Sequence, residues 1–189
     1  MYSSEVCNSL GYCYYYVDVT TLPGRVQMFS ETGRGVVLDS YDRVIKSGDP
    51  RSAKTFLMVQ CRASDTVSPE LRTRCISFMD VDRSDMYVRI RGYNLYVDPE
   101  YDMSEVPANF ELDSSFILHA DAFYYGYYAL ESLRYRGRHT TIHPSHGYLY
   151  VSPEIYSTDF RDAASFKLYE YDTSGKYRRC FGGVSGLNK

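Results

Sequence analysis

His139, His143 and His146 crowd one short stretch of this chain; Tyr148 follows, and Asp159 and Asp162 come shortly after. Imidazoles and carboxylates exchange hydrogen bonds with hydroxyl groups, and a tyrosine ring offers a flat apolar face. Read together, the six residues describe a pocket for a hydroxylated ligand. The competing reading is a solvated turn ahead of a strand, because His143 and His146 flank Pro144-Ser145. Histidine is also a common metal ligand. No Cys/His spacing of the zinc type frames these residues, so neither metal nor cofactor is expected.

Other chemistry is sparse. Asp98, Glu100, Asp102 and Glu154 add carboxylates, but a glycosidase needs two of them fixed across one bond. The chain has no G-x-S-x-G, no P-loop and no H-E-x-x-H. Binding without catalysis is therefore expected. Tyr87, Arg89, Arg91 and Tyr93 alternate along one stretch and form a candidate interaction surface, since Tyr and Arg dominate interface hot spots. An ordinary strand with arginine stems lying on its neighbours would read the same way.

Such residues converge only if the backbone folds them together, and a threefold repeat would do so. Apolar-alternating stretches begin at Val26, Phe78 and Leu130, about 52 residues apart. The copies end at Ala53-Lys54-Thr55-Phe56, Pro107-Ala108-Asn109-Phe110 and Ala163-Ala164-Ser165-Phe166. Leu95-Tyr96-Val97-Asp98-Pro99-Glu100 and Leu149-Tyr150-Val151-Ser152-Pro153-Glu154 share a core. A fixed period of this length marks one supersecondary unit copied. Period-two alternation recurs and long helical patterns are missing, which predicts an all-β domain of about twelve short strands. Closure about a pseudo-threefold axis would remove the exposed edges of each copy and place Phe56, Phe110 and Phe166 at equivalent buried positions. The expected division is a lead segment at 1–23, a domain at 24–171 with repeats at about 24–61, 76–118 and 128–171, and a polar tail at 172–189. Residues 62–74 read as a polar loop or short helix.

With 189 residues the chain can bury a core of its own. A net charge of −3 gives no electrostatic case for nucleic acid. No apolar run approaches the ~20 residues of a membrane span. The start, Met1 to Val6, lacks the basic-then-apolar pattern of a secretory signal. That leaves either a cytoplasmic chain or a piece of a longer secreted one, and the cysteines favour the second. Cys61 and Cys75 bracket the connection between the first two copies and are expected to pair, while Cys180 is expected near Cys7 and Cys13.

The third copy carries a family likeness. Leu130-Glu131-Ser132-Leu133-Arg134-Tyr135-Arg136-Gly137-Arg138-His139, then Leu149 to Glu154, then Phe160-Arg161-Asp162-Ala163-Ala164-Ser165-Phe166 resembles the arabinose-binding domain of α-L-arabinofuranosidases, carbohydrate-binding module family 42. The resemblance covers about residues 24–170, good in copy three, fair in copy two and poor in copy one. It implies a β-trefoil and a lectin-like module recognising an extracellular glycan, with His143 and Asp162 as hydroxyl partners and Tyr148 as a packing surface. The family's motif is degraded here. Its histidine position is Ile90 in copy two, and its aspartate position reads as Pro107 in copy two and Ala163 in copy three. The alternative partner is therefore an extracellular protein, bound by a domain that kept its framework and lost its sugar pocket.

Overall fold

Strands rich in Val, Ile, Phe and Tyr are stable only when one or both faces are covered, and the burial along this chain shows how that is arranged. The computed structural model describes residues 2–7, 9, 13–17, 19, 21–65, 67–100, 107–171 and 176–180. Six strands carry the core: β3 (Arg25–Ser30), β6 (Thr55–Gln60), β7 (Cys75–Asp80), β10 (Phe116–Ala120), β11 (Tyr128–Ser132) and β14 (Phe166–Tyr171). All their pairings are antiparallel and close a ring: β3 with β6, β6 with β7, β7 with β10, β10 with β11, β11 with β14, and β14 with β3. Three hairpins stand outside the ring: β4 (Gly35–Leu38) with β5 (Ile45–Gly48), β8 (Met86–Arg91) with β9 (Asn94–Pro99), and β12 (Arg138–Ile142) with β13 (Leu149–Pro153). Single bridges join them to one another at Val44–Tyr96, Asn94–Tyr150 and Lys46–Tyr148.

The ring's register gives three equivalent sets of contacts. Phe56 pairs with Val26 and Asp80, Phe116 with Ile76 and Ser132, and Phe166 with Tyr128 and Ser30. Two residues on, Met58 meets Phe78, Leu118 meets Leu130 and Leu168 meets Met28. Of these side chains, all but the polar Ser30, Asp80 and Ser132 belong to one buried apolar cluster. The chain is all-β, with twelve strands among the described residues of 24–171.

The repeat register differs from the sequence expectation in two places. Met28, not Val26, is the partner position of Phe78 and Leu130. Phe110 is buried but sits in a helix, α2 (Pro107–Asp113), and the residue equivalent to Phe56 and Phe166 is Phe116. In the third copy Phe160 holds the corresponding place in α3 (Thr158–Ala163), six residues before Phe166. In the first copy Pro50 opens a 3-10 turn six residues before Phe56. A short helical turn thus precedes each return strand, and two copies place a second phenylalanine in it.

Outside the ring, β1 (Tyr2–Cys7) and β2 (Cys13–Val17) form a hairpin laid against β10, while β15 (Tyr177–Arg179) extends β14. Most of the expected tail at 172–189, and parts of the lead segment, lie outside the described residues. The 62–74 connection holds a 3-10 turn at Arg62–Asp65 and the single-turn α1 (Pro69–Arg72). The Cys61–Cys75 disulfide closes this connection, as expected, and packs against Ala63, Ile117 and Leu133.

Cys180 bonds to neither of the two N-terminal cysteines. Cys7 and Cys13 are joined to each other across the β1–β2 hairpin, and Cys180 carries a free thiol in the core. Its backbone N–H donates to the Leu168 carbonyl at 3.0 Å, and its carbonyl accepts from the Tyr128 hydroxyl at 2.8 Å. Burial, with Glu170 adding to it, pushes the thiol up to about 12. Reactivity needs thiolate and access. Native protein should therefore stay unmodified by iodoacetamide, whereas denatured, unreduced protein should take one carbamidomethyl group by mass spectrometry. A modified native chain would contradict this placement.

Candidate functional site

The turn between β12 and β13 is built from His143 to Tyr148. The His143 N–H donates to the Tyr148 carbonyl at 2.8 Å, and the Gly147 N–H donates to the His143 carbonyl at 2.9 Å. Gly147 takes a φ of +70°, a conformation that side chains with a Cβ rarely adopt. Its carbonyl accepts from the Ser47 N–H at 2.7 Å, so the turn is stitched to β5 of the first copy. Ser157 caps α3 by accepting from the Phe160 N–H, and this fixes the helix that carries Asp159 and Asp162.

Between these elements lies a cleft of about 520 Å³. His143, His146, Asp159 and Asp162 line it from the third copy, and Ser30, Thr32, Arg34 and Ser47 line it from the first. The rings of His143 and His146 stack with centroids 4.9 Å apart, and Tyr148 stands beside His146 at 6.1 Å. His143 Nδ1 accepts from the Ser145 N–H at 3.3 Å, which leaves Nε2 as the donor. One Asp162 oxygen accepts from the Tyr124 hydroxyl. Across the cleft, Arg34 Nε donates to Ser47 Oγ at 3.0 Å, and the hydroxyls of Ser30 and Thr32 are 3.0 Å apart. The site offers imidazole donors, carboxylate acceptors and hydroxyls around an open volume.

Four of the six expected pocket residues meet here. Tyr148 is not among the residues lining the cleft, although its ring stands beside that of His146. His139 lies elsewhere. It points from β12 into a buried cluster on the outer face of the ring, with its ring 5.7 Å from that of His119. His119 on β10 shares a bond with Glu131 on β11, Nε2 to Oε2 at 2.8 Å. Glu131 Oε1 accepts from Arg136 Nε at 2.7 Å and from the Gly137 N–H at 2.9 Å. Burial alone would raise the Glu131 carboxyl, but the His119 bond and these donors outweigh it and hold it at about 2. Burial, with His119 alongside, pushes His139 down to about 4, which keeps the ring neutral. His119 and Glu131 escaped the sequence reading, although a histidine inside the apolar run Phe116-Ile117-Leu118-His119-Ala120 was a usable signal.

The expected interaction surface is only half exposed. Tyr87 and Arg89 are buried, Tyr87 edge-on to Phe110 at 6.2 Å and Arg89 beside Asp98 at 3.3 Å. The face is covered because α2 packs across β8. Arg91 lies on the Tyr96 ring at 4.0 Å, and Tyr93 reaches the surface against Tyr135. The register also moves one family position. With Phe116 equivalent to Phe166, the residue matching Ala163 in the second copy is Asp113, not Pro107. Asp113 is engaged by Arg134 Nε at 3.2 Å.

No protein-family model matches the chain, and no curated protein sequence does. Solved structures do. A GH54 α-L-arabinofuranosidase soaked with a cyclic sulfate inhibitor superposes with a TM-score of 0.61 at 18% identity, covering 81% of this chain and 32% of that one. A mosquitocidal holotoxin gives 0.58 at 8% identity, covering 81% and 17%. A GH43 β-1,3-galactosidase gives 0.57 at 13%, covering 88% and 31%. At these identities the likeness is one of fold, and the chain spans about a third or less of each of these proteins.

Proposed function

We propose that this chain is a β-trefoil carbohydrate-binding module of the arabinose-binding kind, extracellular and without catalytic activity. The observation that carries the reading is the convergence of His143, His146, Asp159 and Asp162 on one cleft faced by the hydroxyls of Ser30, Thr32 and Ser47. The closed six-strand ring with three outer hairpins supports the trefoil reading, and the two disulfides favour an oxidising compartment. Similarity of fold to proteins described as an arabinofuranosidase and a galactosidase supports a glycan as the ligand class.

In this module His143 Nε2–H donates to one sugar hydroxyl and the carboxylates accept from others, while the stacked imidazoles and Tyr148 cover an apolar sugar face. A shallow cleft making a few such bonds binds in the millimolar to high-micromolar range, about 4–6 kcal/mol. His143→Ala and Asp159→Ala are each expected to weaken oligosaccharide binding by about tenfold, the loss of roughly one hydrogen bond. Neither residue is buried, so the circular dichroism spectrum and melting midpoint should stay unchanged. Unaltered affinity in both variants would remove the cleft from the reading. A second reading, a protein-interaction domain, draws on Tyr41, Tyr125 and Tyr156, which are 97%, 75% and 77% exposed. Aromatic side chains so placed suit an interface.

A further inference from the structure

The outer face of β10, β11 and β12 carries a second group of functional side chains, separate from the cleft. Glu131 pairs directly with His139 across β11 and β12, and His119 sits diagonally from Glu131 across β10 and β11. Diagonal and direct neighbours on one sheet face are within reach of one another. One ligand atom from each residue lies within 4.8 Å of the other two. All three side chains are buried, under Tyr14 and Tyr16 of β2 and under Phe123 and Phe160.

Among the described residues, both ring nitrogens of His139 and Nδ1 of His119 are buried without a hydrogen-bond partner. Buried polar atoms are rarely left so, and a site with several of them calls for an occupant. Two imidazoles and a carboxylate form the donor set of zinc and related divalent ions. Around zinc, bonds of about 2.0–2.1 Å place tetrahedral ligands about 3.4 Å apart; His119 Nε2 and Glu131 Oε2, now 2.8 Å apart, would exchange their hydrogen bond for the ion and separate slightly. The surroundings suit such a site. Glu131 is oriented through its other oxygen by Arg136 and Gly137, as metal-bound carboxylates are. A further carboxylate, Glu154, stands 4.0 Å from His139 Nδ1.

We infer that His119, Glu131 and His139 bind one divalent first-row metal ion, zinc by preference, as a structural pin joining β10, β11 and β12. The test uses the full chain, stripped with EDTA, loaded with Zn²⁺ and desalted. About one zinc should be retained per chain, and the melting midpoint should rise on loading. In the unaltered protein, Zn²⁺ should shift the imidazole nitrogen resonances of His119 and His139, a readout that does not depend on any variant folding. His139→Gln should lower zinc affinity by about 100-fold or more, and a chain with His143→Ala and His146→Ala should bind as before. Absence of retained zinc with an unchanged midpoint would overturn the inference. So would shifts confined to His143 and His146, which would assign the ion to the cleft.

Discussion

Truncating Phe166 to alanine is expected to destabilise the protein by about 3–5 kcal/mol, the usual cost of deleting a fully buried phenylalanine and leaving a cavity. Phe166 is fully buried and stands where β14 pairs with both β11 and β3, so its loss loosens the ring on two sides. Domains of this size hold about 5–15 kcal/mol in total, so the variant should lose a large share of its stability. Phe116→Ala should behave alike, because Phe116 occupies the same place between β7 and β11. Urea unfolding followed by circular dichroism measures both. A loss below about 1 kcal/mol in either variant would mean that the two phenylalanines are not equivalent members of one core.

Replacing Cys61 and Cys75 together by alanine is expected to cost about 3 kcal/mol, the chain-entropy value for a loop of this length. The bridge closes a sequence separation of 14 residues around the β6–β7 connection. Among the described residues that connection holds a 3-10 turn and a single helical turn, with Ala63, Val67 and Leu71 as its inward contacts. Without the bridge its ordering rests on such contacts and on hydrogen bonds that include Ala63 N–H to Ser115 Oγ at 3.1 Å, Arg62 N–H to Ser77 Oγ at 3.0 Å and Val19 N–H to the Thr73 carbonyl at 2.9 Å. Reductant should lower the unfolding midpoint of the parent protein and leave that of the Cys61→Ala, Cys75→Ala chain less affected. An unchanged midpoint in that chain would show that the bridge contributes nothing.

Much of this architecture was legible in the residues. Alternation marked the strands, and the placing of Cys61 and Cys75 about one connection marked their bridge. The register was not legible, because α2 and α3 each carry a phenylalanine six residues before the one in the return strand. Either phenylalanine satisfies the repeat, and only the pairing of Phe116 with Ile76 and Ser132 chooses between them. For the cleft, the sequence supplied His143, His146, Asp159 and Asp162, all local to one copy. It could not supply Ser30, Thr32, Arg34 or Ser47, which arrive through the Ser47–Gly147 hydrogen bond between copies. His139 was misplaced by proximity in sequence. On a strand its neighbours are set by pairing, and the pairing turns it toward Glu131 and His119. The burial of Tyr87 and Arg89 followed from α2, a helix whose short apolar pattern gave no periodicity to read.

The central claim is that the cleft between the first and third copies binds a glycan. Its most direct test is a titration of ¹⁵N-labelled protein with arabinose-, galactose- and glucose-containing oligosaccharides, followed by amide chemical shifts. Saturable shifts are expected at residues 30–34, 47, 142–147 and 159–163, with dissociation constants of roughly millimolar to high micromolar for at least one sugar and no shifts elsewhere on the ring. Amides of the cleft that stay fixed at about ten millimolar of every sugar would contradict it.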